Sequence, residues 1–140
     1  LEVEVRAGAV AGVHSCAAVD WSLLLALEIE VLSFDAYAYF DSLLPYRREI
    51  AAFLARGGIL SWGIVPTSEA AWQEDAASLT SKLRSCWREL TARGVPRELI
   101  ESRYLVTPSC GTGTLPEPLA ERIYTLTAAV AREVWVAGGT

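Results

Sequence analysis

The sequence predicts an α/β fold of four consecutive parallel strand–helix units, a single domain over residues 1–140 that amounts to half of a (β/α)8 TIM-type barrel. Three observations predict it. Four short apolar segments end at polar or proline positions, each is followed by a stretch long enough for a helix, and glycines or prolines stand at the joints. Strands that alternate with helices imply a parallel sheet with right-handed crossovers. A flavodoxin-like open sheet suits the same alternation and is the competing architecture.

The first strand is read in Gly8-Ala9-Val10-Ala11-Gly12-Val13-His14, an apolar run of small residues that fits a buried parallel strand. Asp20 is placed to cap the helix that follows, Trp21-Ser22-Leu23-Leu24-Leu25-Ala26-Leu27. Val31-Leu32-Ser33-Phe34-Asp35 is a second apolar strand, ending in an acid. After Pro45, residues 46–56 set Ile50, Phe53 and Leu54 at helical spacing, and Gly57-Gly58 stops the helix. Ile59-Leu60-Ser61-Trp62-Gly63-Ile64-Val65 is a third strand, closed by Pro66. Thr67 and Ser68 then offer an N-cap for a long helix to about Arg93, with Leu79, Leu83, Cys86, Trp87 and Leu90 as its apolar stripe and Gly94 as its end. On that reading the acids of Trp72-Gln73-Glu74-Asp75 lie on the helix's solvated face. Tyr104-Leu105-Val106-Thr107-Pro108 is the fourth strand, followed by the loop Ser109-Cys110-Gly111-Thr112-Gly113-Thr114 and a last helix over residues 116–136.

At 52% hydrophobic and 21% charged, the chain has the balance of a globular protein with a sizeable core. Its net charge of -5 opposes binding to a polyanion, and the positive charges are scattered, so no nucleic-acid partner is expected. No apolar run reaches the roughly 18 residues of a membrane span, and no basic segment leads into an apolar one at the N-terminus; a cytoplasmic protein is expected, with no membrane partner. The start at Leu1 and the absence of methionine point to a piece of a longer chain. Cys16, Cys86 and Cys110 are an odd number at wide spacing, which argues against a disulfide framework and leaves thiolate chemistry or simple burial.

Parallel α/β folds present functional side chains at the C-terminal edge of the sheet. There the first strand supplies His14 and Cys16, the second Asp35, the third Ser61 and Trp62, and the loop after the fourth Cys110. One imidazole, two thiols and a carboxylate form a donor set that suits zinc, and His-x-Cys puts two donors on one face of an extended segment. Each residue also has an ordinary reading. A lone histidine is more often a satisfied polar group than a ligand, free cysteines are commonly buried as small hydrophobes, and Asp35 is equally suited to capping a turn. For Cys86, on a helix stripe, burial is the favoured reading. Trp62, Tyr37, Tyr39 and Tyr46 are candidates for lining a substrate pocket, although aromatics near strand ends more often pack the core. The Ser109–Thr114 loop has the composition of a phosphate cradle without the lysine or spacing of a P-loop.

Taken together, Gly12-Val13-His14-Ser15-Cys16, Asp20-Trp21-Ser22-Leu23-Leu24, Leu32-Ser33-Phe34-Asp35-Ala36-Tyr37, Gly57-Gly58-Ile59-Leu60-Ser61-Trp62-Gly63-Ile64-Val65-Pro66-Thr67 and Thr107-Pro108-Ser109-Cys110-Gly111 resemble successive C-terminal motifs of the cobalamin-independent methionine synthase and uroporphyrinogen decarboxylase superfamily. The resemblance runs from Gly12 onward. It implies the C-terminal half of a catalytic (β/α)8 barrel and a zinc ion held by His14, Cys16, Cys110 and Asp35, with aspartate standing where the family has glutamate. It also implies a methyltransferase that activates a homocysteine-like thiol, with a methylfolate or methylcorrinoid as donor, and Trp62 and Ser109 beside the substrate. Folate-dependent members carry a second histidine on the strand that here reads Ser61-Trp62-Gly63. The rival implications are a metal-free, decarboxylase-like enzyme acting on a polyanionic ring, which would want arginines at the strand ends, and a non-catalytic remnant that binds zinc only structurally.

Four strand–helix units leave two open sheet edges and an apolar inner surface. The chain is therefore expected to form a homodimer edge to edge, or to be completed by a missing N-terminal half-barrel.

Overall fold

The computed structural model describes residues 6–138. Its strands are β1 (Gly12–Ser15), β2 (Val31–Phe34), β3 (Ile59–Val65) and β4 (Tyr104–Pro108), and its helices are α1 (Trp21–Leu25), α2 (Ala36–Tyr39), α3 (Arg47–Ala55), α4 (Ala76–Ala92), α5 (Arg97–Ser102) and α6 (Glu117–Gly138). Two 3-10 segments, Phe40–Tyr46 and Glu69–Trp72, complete the described elements. All strand pairs are parallel, and the sheet order is β1-β2-β3-β4. A flavodoxin-like sheet places its first strand between the second and third, so this order excludes the competing architecture. The fold is α/β with an all-parallel four-stranded sheet, consistent with half of a barrel.

Side chains alternate along each strand, and the register sorts them into two faces. Leu32 and Leu60 are paired, as are Phe34 and Trp62, and all four are buried in the core with residues of the helices. On the other face His14 stands opposite Ser33, and Ser33 opposite Ser61. An edge-to-face aromatic row crosses the helix side. Trp21 meets Phe34 at 6.1 Å, Phe34 meets Trp62 at 5.0 Å, Trp62 meets Trp87 at 6.3 Å, and Trp87 meets Tyr104 at 4.9 Å between ring centroids. These contacts tie α1, β2, β3, α4 and β4 together.

Local signals explain the element boundaries. Asp20 caps α1, accepting from the Ser22 amide, as its position suggested. Gly57 and Gly94 follow α3 and α4 with φ of 101° and 100°, a left-handed conformation that side chains disfavour and that ends each helix. The long helix departs from expectation at its start. Ser68 caps only the 3-10 turn, whereas Asp75 begins α4 through a capping box in which its carboxylate accepts from the Ser78 amide at 2.7 Å and Ser78 Oγ accepts from the Asp75 amide at 3.0 Å. The acids at 74 and 75 are therefore not a solvated helix face: Asp75 is the cap, and Glu74 accepts from the Tyr37 hydroxyl at 3.0 Å. The first strand also differs. It begins at Gly12 rather than Gly8 and is an edge strand, because β2 is its only strand neighbour among the described residues, and Val10 ahead of it is 67% exposed. The short helix α5, anchored by buried Ile100, was not anticipated.

Candidate metal centre

β1 and β4 are the two outer strands of the sheet, and a flat sheet would separate them by about 14 Å. Nevertheless the donor atoms of His14, Cys16 and Cys110 all lie within 4.8 Å of one another, and all three residues are exposed. A cavity of about 230 Å³ is lined from both edges, by His14 and by Thr107, Pro108, Cys110 and Gly111, with Ser33 between. The sheet thus curls about this rim, and residues just past the strand ends reach inward across it.

The sequence places Cys110 through its neighbours. Gly63, on β3, leaves no room for a side chain: an added Cβ would sit 2.5 Å from the Phe34 carbonyl oxygen, 2.8 Å from Ser109 Cα and 3.1 Å from the Pro108 carbonyl oxygen. This close approach lets the chain after β4 lie against β3. The register shifts there, because Gly63 pairs with Thr107 and Val65 with Pro108, leaving one extra residue on β3 in the manner of a bulge. Ser109 then fastens the turn. Its amide donates to the Val65 carbonyl at 2.8 Å, its hydroxyl accepts from the Thr67 amide at 3.1 Å, and the side chain is 4% exposed. Ser109 is a buried brace that delivers the next residue, Cys110, to the rim. Its expected place was beside a substrate.

His14 is oriented from the adjacent strand. Its Nδ1 lies 2.8 Å from Ser33 Oγ, a hydrogen bond that leaves Nε2 for a ligand. Ser33 was not singled out from sequence, although period-two alternation within β2 puts it on the His14 face. Ser61 Oγ donates to Thr107 Oγ1 at 3.2 Å farther along that face.

Cys16 and Cys110 interact directly. The Cys16 thiol, donating toward the Cys110 sulfur, is held above its ordinary pKa by that hydrogen bond and next by the negative charge of that sulfur, and the Asp35 carboxylate adds a smaller push in the same direction. Cys86 is separate from this group. Burial pushes its thiol up to about 12, as expected of a small hydrophobe on a helix stripe.

The remaining candidates fall elsewhere. Asp35 is outside the group within 4.8 Å, and its Oδ1 accepts from the Ala38 amide at 2.9 Å as the N-cap of α2. Trp62 is fully buried on the helix side of the sheet, opposite to the face of Ser61 and Gly63, and packs between Phe34 and Trp87. Tyr37 is held by Glu74 and by Lys82, whose Nζ lies 4.0 Å from the ring centroid.

The donor set fits zinc. Tetrahedral zinc with Zn–S near 2.3 Å and Zn–N near 2.0 Å separates its ligand atoms by about 3.5–3.8 Å, so these three donors need to close by no more than about 1.3 Å. Two thiols and an imidazole are soft and borderline ligands of the kind that select zinc over magnesium or calcium. No family model matches the chain, and no match was found among curated proteins or solved structures. Within residues 6–138, no helix is long and apolar enough to cross a membrane.

Proposed function

We propose that His14, Cys16 and Cys110 hold a zinc ion that activates a homocysteine-like thiol for S-methylation, a methionine synthase-like methyltransferase chemistry. The observation that carries this reading is the convergence of one imidazole and two thiols within 4.8 Å from opposite edges of a parallel sheet. Bound there, zinc supplies a Lewis acid that lowers the pKa of a coordinated thiol and presents it as a thiolate.

The chain's own residues prepare the site. Ser33 fixes the His14 ring through Nδ1, and Ser109 fixes the approach of Cys110. Three donors leave a fourth position for an exchangeable ligand, which favours a thiol-activating site over a closed structural one. Asp35, committed to its cap yet close enough to act on Cys16, would contribute its charge rather than a direct bond. The cavity at the rim has no arginine among its lining residues, which disfavours a decarboxylase-like enzyme binding a polyanionic ring. The outer edges of β1 and β4 have no strand partner among the described residues, so a second half-barrel, from another copy or another segment, would complete the site and supply the contacts for the methyl donor, a methylfolate or a methylcorrinoid.

Cobalt substitution tests the proposal. One Co(II) per chain with sulfur-to-metal charge-transfer bands, whose spectrum changes when homocysteine is added and not when serine is added, is the expected result. A spectrum indifferent to thiols, or no stoichiometric metal uptake, would sink it.

A further inference from the structure

Both cysteines of the candidate centre are exposed, and they meet from segments far apart in the chain, whereas the third cysteine is buried in α4. Their sulfurs lie within 4.8 Å of one another, although the odd number and wide spacing of the cysteines argue against a disulfide framework. Forming an S–S bond of about 2.05 Å requires the two sulfurs to close by less than about 3 Å. Beyond the chain neighbours, nothing lies within 4 Å of a Cβ added at Gly111 or Gly113, so the chain just after Cys110 is uncrowded. The backbone, by contrast, is pinned one residue earlier by Ser109, so Cys110 stays beside Cys16.

We propose that Cys16 and Cys110 are a reversible oxidation site: with no metal bound they close into a disulfide that joins the tips of β1 and β4, and a metal and the disulfide exclude each other. The competition with metal rests on the zinc reading above; the cross-link itself rests only on the two sulfurs. The oxidant is a hydroperoxide. One thiolate attacks a peroxide oxygen, the O–O bond breaks, and a sulfenic acid forms as the first water leaves. The second sulfur attacks the sulfenic sulfur, the S–O bond breaks, and a second water carries away the remaining thiol proton. Two electrons leave the sulfur pair, and one hydrogen peroxide becomes two waters. A dithiol reductant reverses the bond by exchange. In the closed form both sulfur donors are consumed, leaving His14 alone at the rim, so metal uptake requires prior reduction.

The experiment uses the whole chain, reduced, stripped of metal with a chelator, and treated with hydrogen peroxide. The expected result is a loss of two of the three free thiols, a mass lower by two hydrogens, and a peptide map joining Cys16 to Cys110 within one chain. Cys86→Ser should still cross-link, and Cys110→Ser should not. Preloading with zinc should preserve all three thiols. Cross-links between chains, a disulfide that includes Cys86, or direct over-oxidation of Cys16 would overturn the proposal. If the cross-link forms but the reduced chain takes up no zinc, the metal reading fails and the oxidation site stands. If zinc binds but no intramolecular cross-link appears, the reverse holds.

Discussion

Gly63→Ala is the substitution whose effect follows most directly from the geometry. The new Cβ would lie 2.5 Å from the Phe34 carbonyl oxygen, 2.8 Å from Ser109 Cα and 3.1 Å from the Pro108 carbonyl oxygen. All three are main-chain atoms, from β2 and from the end of β4, so no side chain can rotate away. Restoring ordinary contact means parting the strand tips by about 1 Å, and overpacking of this kind costs about 1–3 kcal/mol. With no flexible neighbour to yield, the cost belongs near the top, about 3 kcal/mol, and the opposing gain of about 0.4–1 kcal/mol from a stiffer unfolded chain leaves a net loss of about 2–2.6 kcal/mol. For a chain of 140 residues that lowers Tm by about 7–9 °C. Urea unfolding followed by fluorescence of the five tryptophans measures it. Gly111→Ala is the control: nothing lies within 4 Å of its added Cβ, and its stability should stay within about 0.5 kcal/mol of the parent. Zinc affinity should fall with Gly63→Ala, because displacing Ser109 displaces Cys110. A Gly63→Ala protein as stable as the control would refute the account of how the loop is seated.

Asp35→Asn should keep α2 capped, since asparagine caps as well as aspartate, and should leave zinc binding within a few-fold; Asp35→Ala should lose about 1 kcal/mol of stability by denaturant titration. A collapse of zinc affinity in Asp35→Asn would make the carboxylate a ligand after all. Cys86 gives a pH signature. Its folded thiol is raised from 9.0 to about 12, so its contribution to stability is fully present below pH 9 and is lost as pH rises toward 12, and Cys86→Ala should flatten that alkaline decline in thermal-shift assays. The unpaired edges of β1 and β4, with Leu105 47% and Trp135 73% exposed beside β4, should drive self-association at micromolar concentration by sedimentation. A monodisperse monomer would contradict it.

β3 and β4 match the sequence reading residue for residue because hard stops bound them, Gly58 and Pro66 for one and Pro108 for the other. The convergence of His14, Cys16 and Cys110 was legible for a related reason: a polar residue that ends an apolar run in a parallel sheet has few places to be but the rim. Proximity to the rim, however, does not say which way a side chain points. Trp62 lies at the same level as Ser61, yet the alternation sends it into the core, and applying that rule would also have found Ser33 opposite His14. Asp35 and Asp75 illustrate a different gap. Asp75 was assigned by position and Asp35 was left between a ligand and a cap, whereas the nearest orphan amide, of Ser78 or of Ala38, decided each role. The helix α5 was hidden because six residues after a proline carry too little periodicity to register.

The donors of the candidate centre sit on or just past the first and last strands, with two more strands between them. Their spacing is therefore a gauge of how tightly the whole sheet is bent, and any ion they grip works as a clasp on that arc. Unbending the sheet would pull imidazole and sulfur apart, so ion affinity and the curvature of the sheet are coupled. A tightly held ion would in turn brace strands whose outer edges lack neighbours.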